Sequence, residues 1–70
     1  MRQLGFAVFC IENVAIDMGV DASKVYKAFA KDSDILTAYI IPFYEPLHTQ
    51  GREYVVEELE RLMKMKGVTL

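Results

Sequence analysis

One histidine, one cysteine and a flank of three lysines are the side chains in this sequence best suited to do more than pack. His48 lies among Glu45, Thr49, Arg52, Glu53 and Tyr54. Oriented by one of those carboxylates, an imidazole can carry protons near neutral pH. The plainer reading makes it a helix-end residue, bonded to backbone and tying the third helical element to the last. A lone histidine meets few of the requirements of an active site, so the plainer reading is preferred. The alternative is a small ligand-binding or minimal enzymatic domain centred on His48, Arg52 and Tyr54. It requires one concavity lined by all three.

Cys10 sits between Phe9 and Ile11, surroundings in which a thiol is usually inert core. A single cysteine excludes an internal disulfide and a multi-cysteine zinc site, and it fits a reducing cytoplasm. The sequence has no phosphate-cradling glycine loop, metal-ligand spacing or paired catalytic carboxylates. No catalytic residue, cofactor or metal ligand is therefore assigned, and the reading leans away from an enzyme. Lys24, Lys27 and Lys31 recur at helical spacing and could meet phosphate. The segment after them, where a recognition helix would lie, reads Ile35-Leu36-Thr37-Ala38-Tyr39-Ile40-Ile41. It lacks the Arg, Lys, Asn and Gln that read base edges, so a DNA-binding regulator is not expected.

The elements holding these residues must come from one small core. Seventy residues without linker, repeat or low-complexity tract make a single domain, residues 1–70. A chain of this size buries only roughly 60% of the surface its unfolded form exposes. Yet 53% of its residues are hydrophobic, more than the ~45–50% of an average soluble protein. The surplus needs cover, and a protein partner or a homodimer supplies it. A net charge of −2 leaves no basic footprint for nucleic acid. The apolar N-terminal run is broken by Glu12, Asn13 and Asp17 and is too short to span a membrane. No small-residue cleavage site follows it, so a cytoplasmic location without membrane attachment is expected.

The pattern predicts an all-α fold, either a compact four-helix bundle or an orthogonal helical array. The first helix covers Arg2 to Met18 and ends at Gly19, with Leu4, Ala7, Val8, Ile11, Val14, Ala15 and Met18 on its inner face and Cys10 at the margin. Its other face mixes Phe6, Phe9 and Ile16 with Arg2, Glu12, Asn13 and Asp17. Those three apolar residues are the candidate interface. Asp21 is expected to cap a second helix running to about Lys31, with Val25, Ala28 and Phe29 inward. Ser33 or Asp34 is expected to cap a third, burying Leu36, Tyr39, Ile40 and Phe43, running to about Ile41, kinked at Pro42 and Pro46, and followed by a second short turn through Leu47. A strand over Thr37 to Ile41 is the less favoured alternative, because it has no hairpin partner. The last runs from about Gly51 to Lys66 and stops at Gly67. Val55, Val56, Leu59, Leu62 and Met63 form its stripe, and Glu57–Arg61 and Glu60–Lys64 form ion pairs across it. Thr49 is its expected N-cap, with Gly51 competing. Arg52, poorly placed at a positive helix end, is expected to be held by an acid such as Glu45 or Asp34.

Three blocks in order carry a resemblance: Phe9-Cys10-Ile11-Glu12, Lys24-Val25-Tyr26-Lys27-Ala28-Phe29, and Phe43-Tyr44-Glu45 continuing through Leu47-His48-Thr49-Gln50-Gly51-Arg52-Glu53-Tyr54-Val55-Val56-Glu57. Together they resemble the small bacterial family catalogued as domain of unknown function 3791, across nearly the whole chain. The Leu-His-Thr segment followed by Glu-Tyr is the most specific part. The resemblance implies a stand-alone bacterial cytoplasmic protein with no established activity. It also implies a gene neighbourhood that includes ADP-ribosyltransferase-like toxins, and with it a toxin-neutralising or regulatory role. The family's acid in the last helix matches Glu57 or Glu58, whereas Pro42 and Pro46 depart from its pattern. The function expected is a protein–protein interaction or regulatory module that self-associates.

Overall fold

Gly19 and Gly67 hold φ of 69° and 70°, the left-handed conformation that costs glycine nothing, and each ends one of the two longest helices. Both ends close in the same way. Val20 N–H bonds the Ala15 carbonyl at 3.0 Å and Gly19 N–H bonds Ile16 at 3.3 Å. At the other end, Val68 N–H bonds Met63 at 2.8 Å and Gly67 N–H bonds Lys64 at 3.2 Å. The valine after each glycine packs back on the core, completing the hydrophobic contact that accompanies this cap.

The computed structural model describes residues 2–70, and every regular element among them is helical. α1 spans Arg2–Met18 and α2 spans Ala22–Ala30; a π-helix follows at Ile35–Ile40, then α3 at Tyr44–His48 and α4 at Arg52–Met65. The chain is thus all-α as predicted, with five helical segments. α1 is central and touches α2, α3 and α4, while the π-helix packs on α2 and α4. Cys10, Val14, Val25, Phe29, Ile35, Ile40, Val55 and Leu59 are fully buried where these helices meet. The radius of gyration, 10.7 Å, is close to the ~11 Å expected of a folded domain of this length.

The inner stripes of α2 and α4 follow the predicted periodicity: Val25, Ala28, Phe29, Val55, Val56, Leu59 and Met63 are buried, and Leu62 is half-buried. α1 has the predicted ends but a different inner face. Ala7, Cys10, Ile11, Val14 and Ala15 are buried, whereas Leu4, Val8 and Met18 are exposed. Cys10 therefore stands inside the stripe and not at its margin. Apolar residues nearly encircle this helix, so its neighbours select the buried face and intrinsic periodicity does not.

The segment predicted as a helix to about Ile41, a kink and a short turn through Leu47 is two separate elements, Ile35–Ile40 and Tyr44–His48, joined by a turn at residues 41–43. A regular α-helix would drive the Pro42 ring into the carbonyl four residues back. The helix before it widens instead, and Ile41 N–H reaches five residues back to Leu36 at 3.1 Å. Widening also changes which residues share a face. Ile35 and Ile40, five apart, are both fully buried. Leu36 and Tyr39 are half-buried, and Phe43 is exposed. Pro46 lies within the first turn of α3, where a missing N–H leaves no intrahelical bond unmade.

Asp34 stands at the N-cap position of the π-helix without a side-chain capping bond, and the hydroxyl at that end comes from Ser33 beside it. The Ser33 hydroxyl donates to the Ala28 carbonyl at 2.7 Å and accepts from Ile35 N–H at 3.3 Å, joining the end of α2 to the start of the π-helix. Asp34 pairs with Lys66 at 2.9 Å, and that ammonium holds its carboxyl below the usual carboxylate range.

Candidate functional site

The junction into α4 splits its candidate residues among different neighbours. His48 ends α3, where its Nδ1 donates to the Tyr44 carbonyl at 2.9 Å. Its ring stacks on that of Tyr44 with centroids 4.4 Å apart and planes 9° from parallel. Tyr44 in turn meets Phe6 of α1 edge-on at 5.5 Å, and Phe6 stacks on Phe9 at 6.0 Å. The histidine thus bonds one backbone carbonyl, on its own helix, and its ring contacts lead from α3 to α1 and not to α4.

Thr49 is not the N-cap of α4. Its hydroxyl donates to the Pro46 carbonyl at 3.0 Å and so serves the end of α3. Gly51 occupies the cap position in extended conformation, and its carbonyl accepts from Val55 N–H at 3.1 Å. The loop is too short for both roles, and α3 takes the hydroxyl.

Arg52 is held by an amide and not by an acid. Its Nε donates to Asn13 Oδ1, and a terminal nitrogen reaches the Asn13 carbonyl at 3.5 Å. Asn13 is itself oriented, because its Nδ2 donates to the Phe9 carbonyl at 2.8 Å and turns Oδ1 outward. An acid was expected from charge, but a neutral acceptor on α1 suffices where the guanidinium stays exposed. Glu53 stands exposed in the first turn of α4, where its charge suits the helix dipole. Tyr54 is exposed on a side of α4 near Tyr39 and Arg61.

His48, Arg52 and Tyr54 therefore turn toward Tyr44, Asn13 and Tyr39 respectively. They line neither of two surface hollows. The larger, about 610 Å³, lies between the end of α1 and the last turns of α4, with Met18, Met63, Val68, Leu70 and Glu60 among its walls. The smaller, about 330 Å³, is walled by Glu12, Ala15, Ile16, Val20, Asp21 and Ala22. No group of three or more potential metal ligands gathers among the described residues.

Two features lay outside the predicted site. Glu60 of α4 meets Asp17 of α1, and burial, the Asp17 carboxyl and the Glu57 charge push its pKa up to about 7. Glu60 Oε2 is buried without a donor, so a proton held between the two acids is what the pair can share. Glu60 consequently does not pair with Lys64. Arg61 turns to Glu58 at 2.6 Å instead of Glu57. The second feature is the outward face of α1. Leu4 is 57% exposed, Val8 53%, Phe9 39% and Ile16 71%. Phe9 and Ile16 of the predicted interface lie in this face, whereas Phe6 is half-buried against Tyr44. Leu4 and Val8 were hidden from the sequence reading because they share helical phase with the inner stripe.

Cys10 is fully buried, and burial pushes its thiol up to about 12, in keeping with an inert core residue. Lys24, Lys27 and Lys31 are exposed, and Lys27 pairs with Asp32 at 3.2 Å. No helix of the described residues is long and apolar enough to cross a membrane.

Neither a curated protein nor a solved structure matches the chain. A family model described as protein of unknown function (DUF3791) matches residues 5–66, from the first turn of α1 to the end of α4. The three sequence blocks noted above all fall within that match, and the chain belongs to the DUF3791 family.

Proposed function

We propose that this protein is a protein–protein interaction module that associates with a second copy of itself through the outward face of α1. The supporting observation is that Leu4, Val8, Phe9 and Ile16 stand exposed together on one helix whose other side is core. Fully burying one large aliphatic or aromatic side chain is worth ~1.5–3 kcal/mol. Four along one helix, with Phe9 and Ile16 in a single stripe, are more than isolated exposed residues. We place the module in the cytoplasm, where its one thiol stays reduced. A regulatory role, toxin neutralisation included, follows if a different protein competes for the same face.

Sedimentation velocity over a range of protein concentrations tests the reading. A concentration-dependent shift from monomer to dimer is expected, abolished by Ile16→Asp and by Phe9→Asp in variants that keep the helical spectrum. A wild-type protein that stays monomeric at millimolar concentration overturns it.

A further inference from the structure

We infer that the two copies pair through α1 in antiparallel fashion, crossing at the level of Cys10 and Ile11. This rests on the self-association proposed above and assigns its partner a direction and a register. The argument comes from how charge and bulk are distributed along the helix. α1 carries one base, Arg2 at its start, and two acids toward its end, of which Asp17 meets Glu60 of α4 and Glu12 is exposed beside the smaller hollow. Its first turn has no acid and its last turn no base, so neither end is matched to the helix dipole. The hollow beyond Ile16 adds a third acid to the same end, Asp21, beside Glu12. In an antiparallel pair each basic start lies over the partner's acidic end, and the two dipoles oppose. A parallel pair would set Arg2 against Arg2, Glu12 against Glu12 and Asp21 against Asp21.

Bulk follows the same direction. Gly5 lies in the first turn of α1 on the exposed side, and a side chain there would meet nothing within 4 Å. Glycine there presents no side chain and lets another backbone approach closely. Ile16 is the most exposed large apolar residue of the face and stands eleven residues farther along. Gly5, Phe9, Glu12 and Ile16 recur at alternating steps of four and three, the seam spacing of paired helices. Crossing at Cys10–Ile11 sets Ile16 of each copy against the Leu4–Gly5 start of the other and Phe9 against Glu12. Arg2 then reaches the hollow walled by Glu12 and Asp21. The Phe9 ring covers the methylenes of the opposing Glu12 and leaves its carboxylate at the rim. A seam one helix long buries on the order of 500 Å² per copy, at the low end of specific interfaces, so the association is a weak one.

Disulfide trapping at concentrations where the wild-type protein is dimeric tests the register. Gly5→Cys and Ile16→Cys proteins, one carrying a size tag, are oxidised singly and mixed, with Cys10 left in place because it is buried. Heterotypic Gly5→Cys to Ile16→Cys cross-links in the mixture, several-fold above those within either protein alone, are expected. Homotypic cross-links in excess overturn the antiparallel direction while leaving self-association standing. A dimer that yields neither cross-link overturns the α1 seam. A wild-type protein that never dimerises removes the proposed function and this inference with it. Charge reversal gives a second measurement: Arg2→Glu weakens dimerisation several-fold, and Asp21→Lys in the same chain restores it. Asp21 makes no side-chain capping bond, so its replacement costs α2 no hydrogen bond, and a helical spectrum equal to the wild type's checks that α2 tolerates the cation at its start. An Arg2→Glu protein that dimerises as the wild type does overturns the assigned contact.

Discussion

Glu60 and Asp17 join α1 to α4 through two like groups, which works only while a proton lies between them. The folded chain holds the Glu60 proton to about pH 7, against 4.5 for the free side chain. Between those values the unfolded chain has released a proton that the folded chain keeps, so stability falls as pH rises through that window and levels off above it. Glu60→Gln replaces the shared proton with an amide donor. At pH 8 it should stabilise the protein by on the order of 1 kcal/mol, a figure reduced for solvent screening at a partly exposed group. At pH 5 the two denaturant curves should nearly coincide, and a variant less stable than wild type at pH 8 would refute the shared proton. The Arg52–Asn13 tie predicts coupling of a different kind. In a double-mutant cycle, Arg52→Ala and Asn13→Ala should each cost about 0.5–1.5 kcal/mol and together cost less than their sum. Additive losses would show that the two side chains act separately. For Cys10, a thiol held protonated up to about 12 and fully buried should not react with a neutral-pH thiol reagent until the chain unfolds. Labelling as fast as that of a free thiol would place it at the surface.

Among the elements, the π-helix is the one whose character depends on a single residue. Pro42 withholds a donor and a position from the regular ladder, and the wider turn before it brings Ile35 and Ile40 inward together. Ile40→Ala should therefore cost about 2–5 kcal/mol in denaturant unfolding, as for a fully buried aliphatic side chain. Phe43→Ala, which the regular periodicity would have made equally costly, should cost well under 1 kcal/mol because the ring is exposed. Equal losses at the two positions would restore the regular-helix phase. The other long elements were legible for reasons that lie within their own sequences. Gly19 and Gly67 stop helices by conformation, and α2 and α4 carry a single apolar stripe each. The phase of α1 was not legible, because Leu4 and Val8 continue its stripe as well as Cys10 does. At the junction, the backbone-bonded histidine could be read from its isolation among possible partners. Asn13 as the holder of Arg52 could not, because the two are 39 residues apart and no charge points from one to the other.

At the scale of the whole molecule, a small core around one central helix leaves that helix with an uncovered side. If a second copy covers it, association and folding are linked, and the melting temperature depends on concentration. Thermal melts should rise with wild-type concentration and become independent of it in Ile16→Asp. A wild-type melting temperature constant across a hundredfold dilution would count against association with the native fold. The sequence by itself determined that the chain is all-α, where α1, α2 and α4 begin and end to within a residue or two, and which family it belongs to. These follow from local backbone preference, apolar periodicity and residue order, none of which needs a neighbour. Only the tertiary structure decided which side of α1 is core and that His48, Arg52 and Tyr54 part company. Each of those depends on where other helices lie, and a helix apolar on most of its circumference has no means of choosing a face until its neighbours have taken theirs.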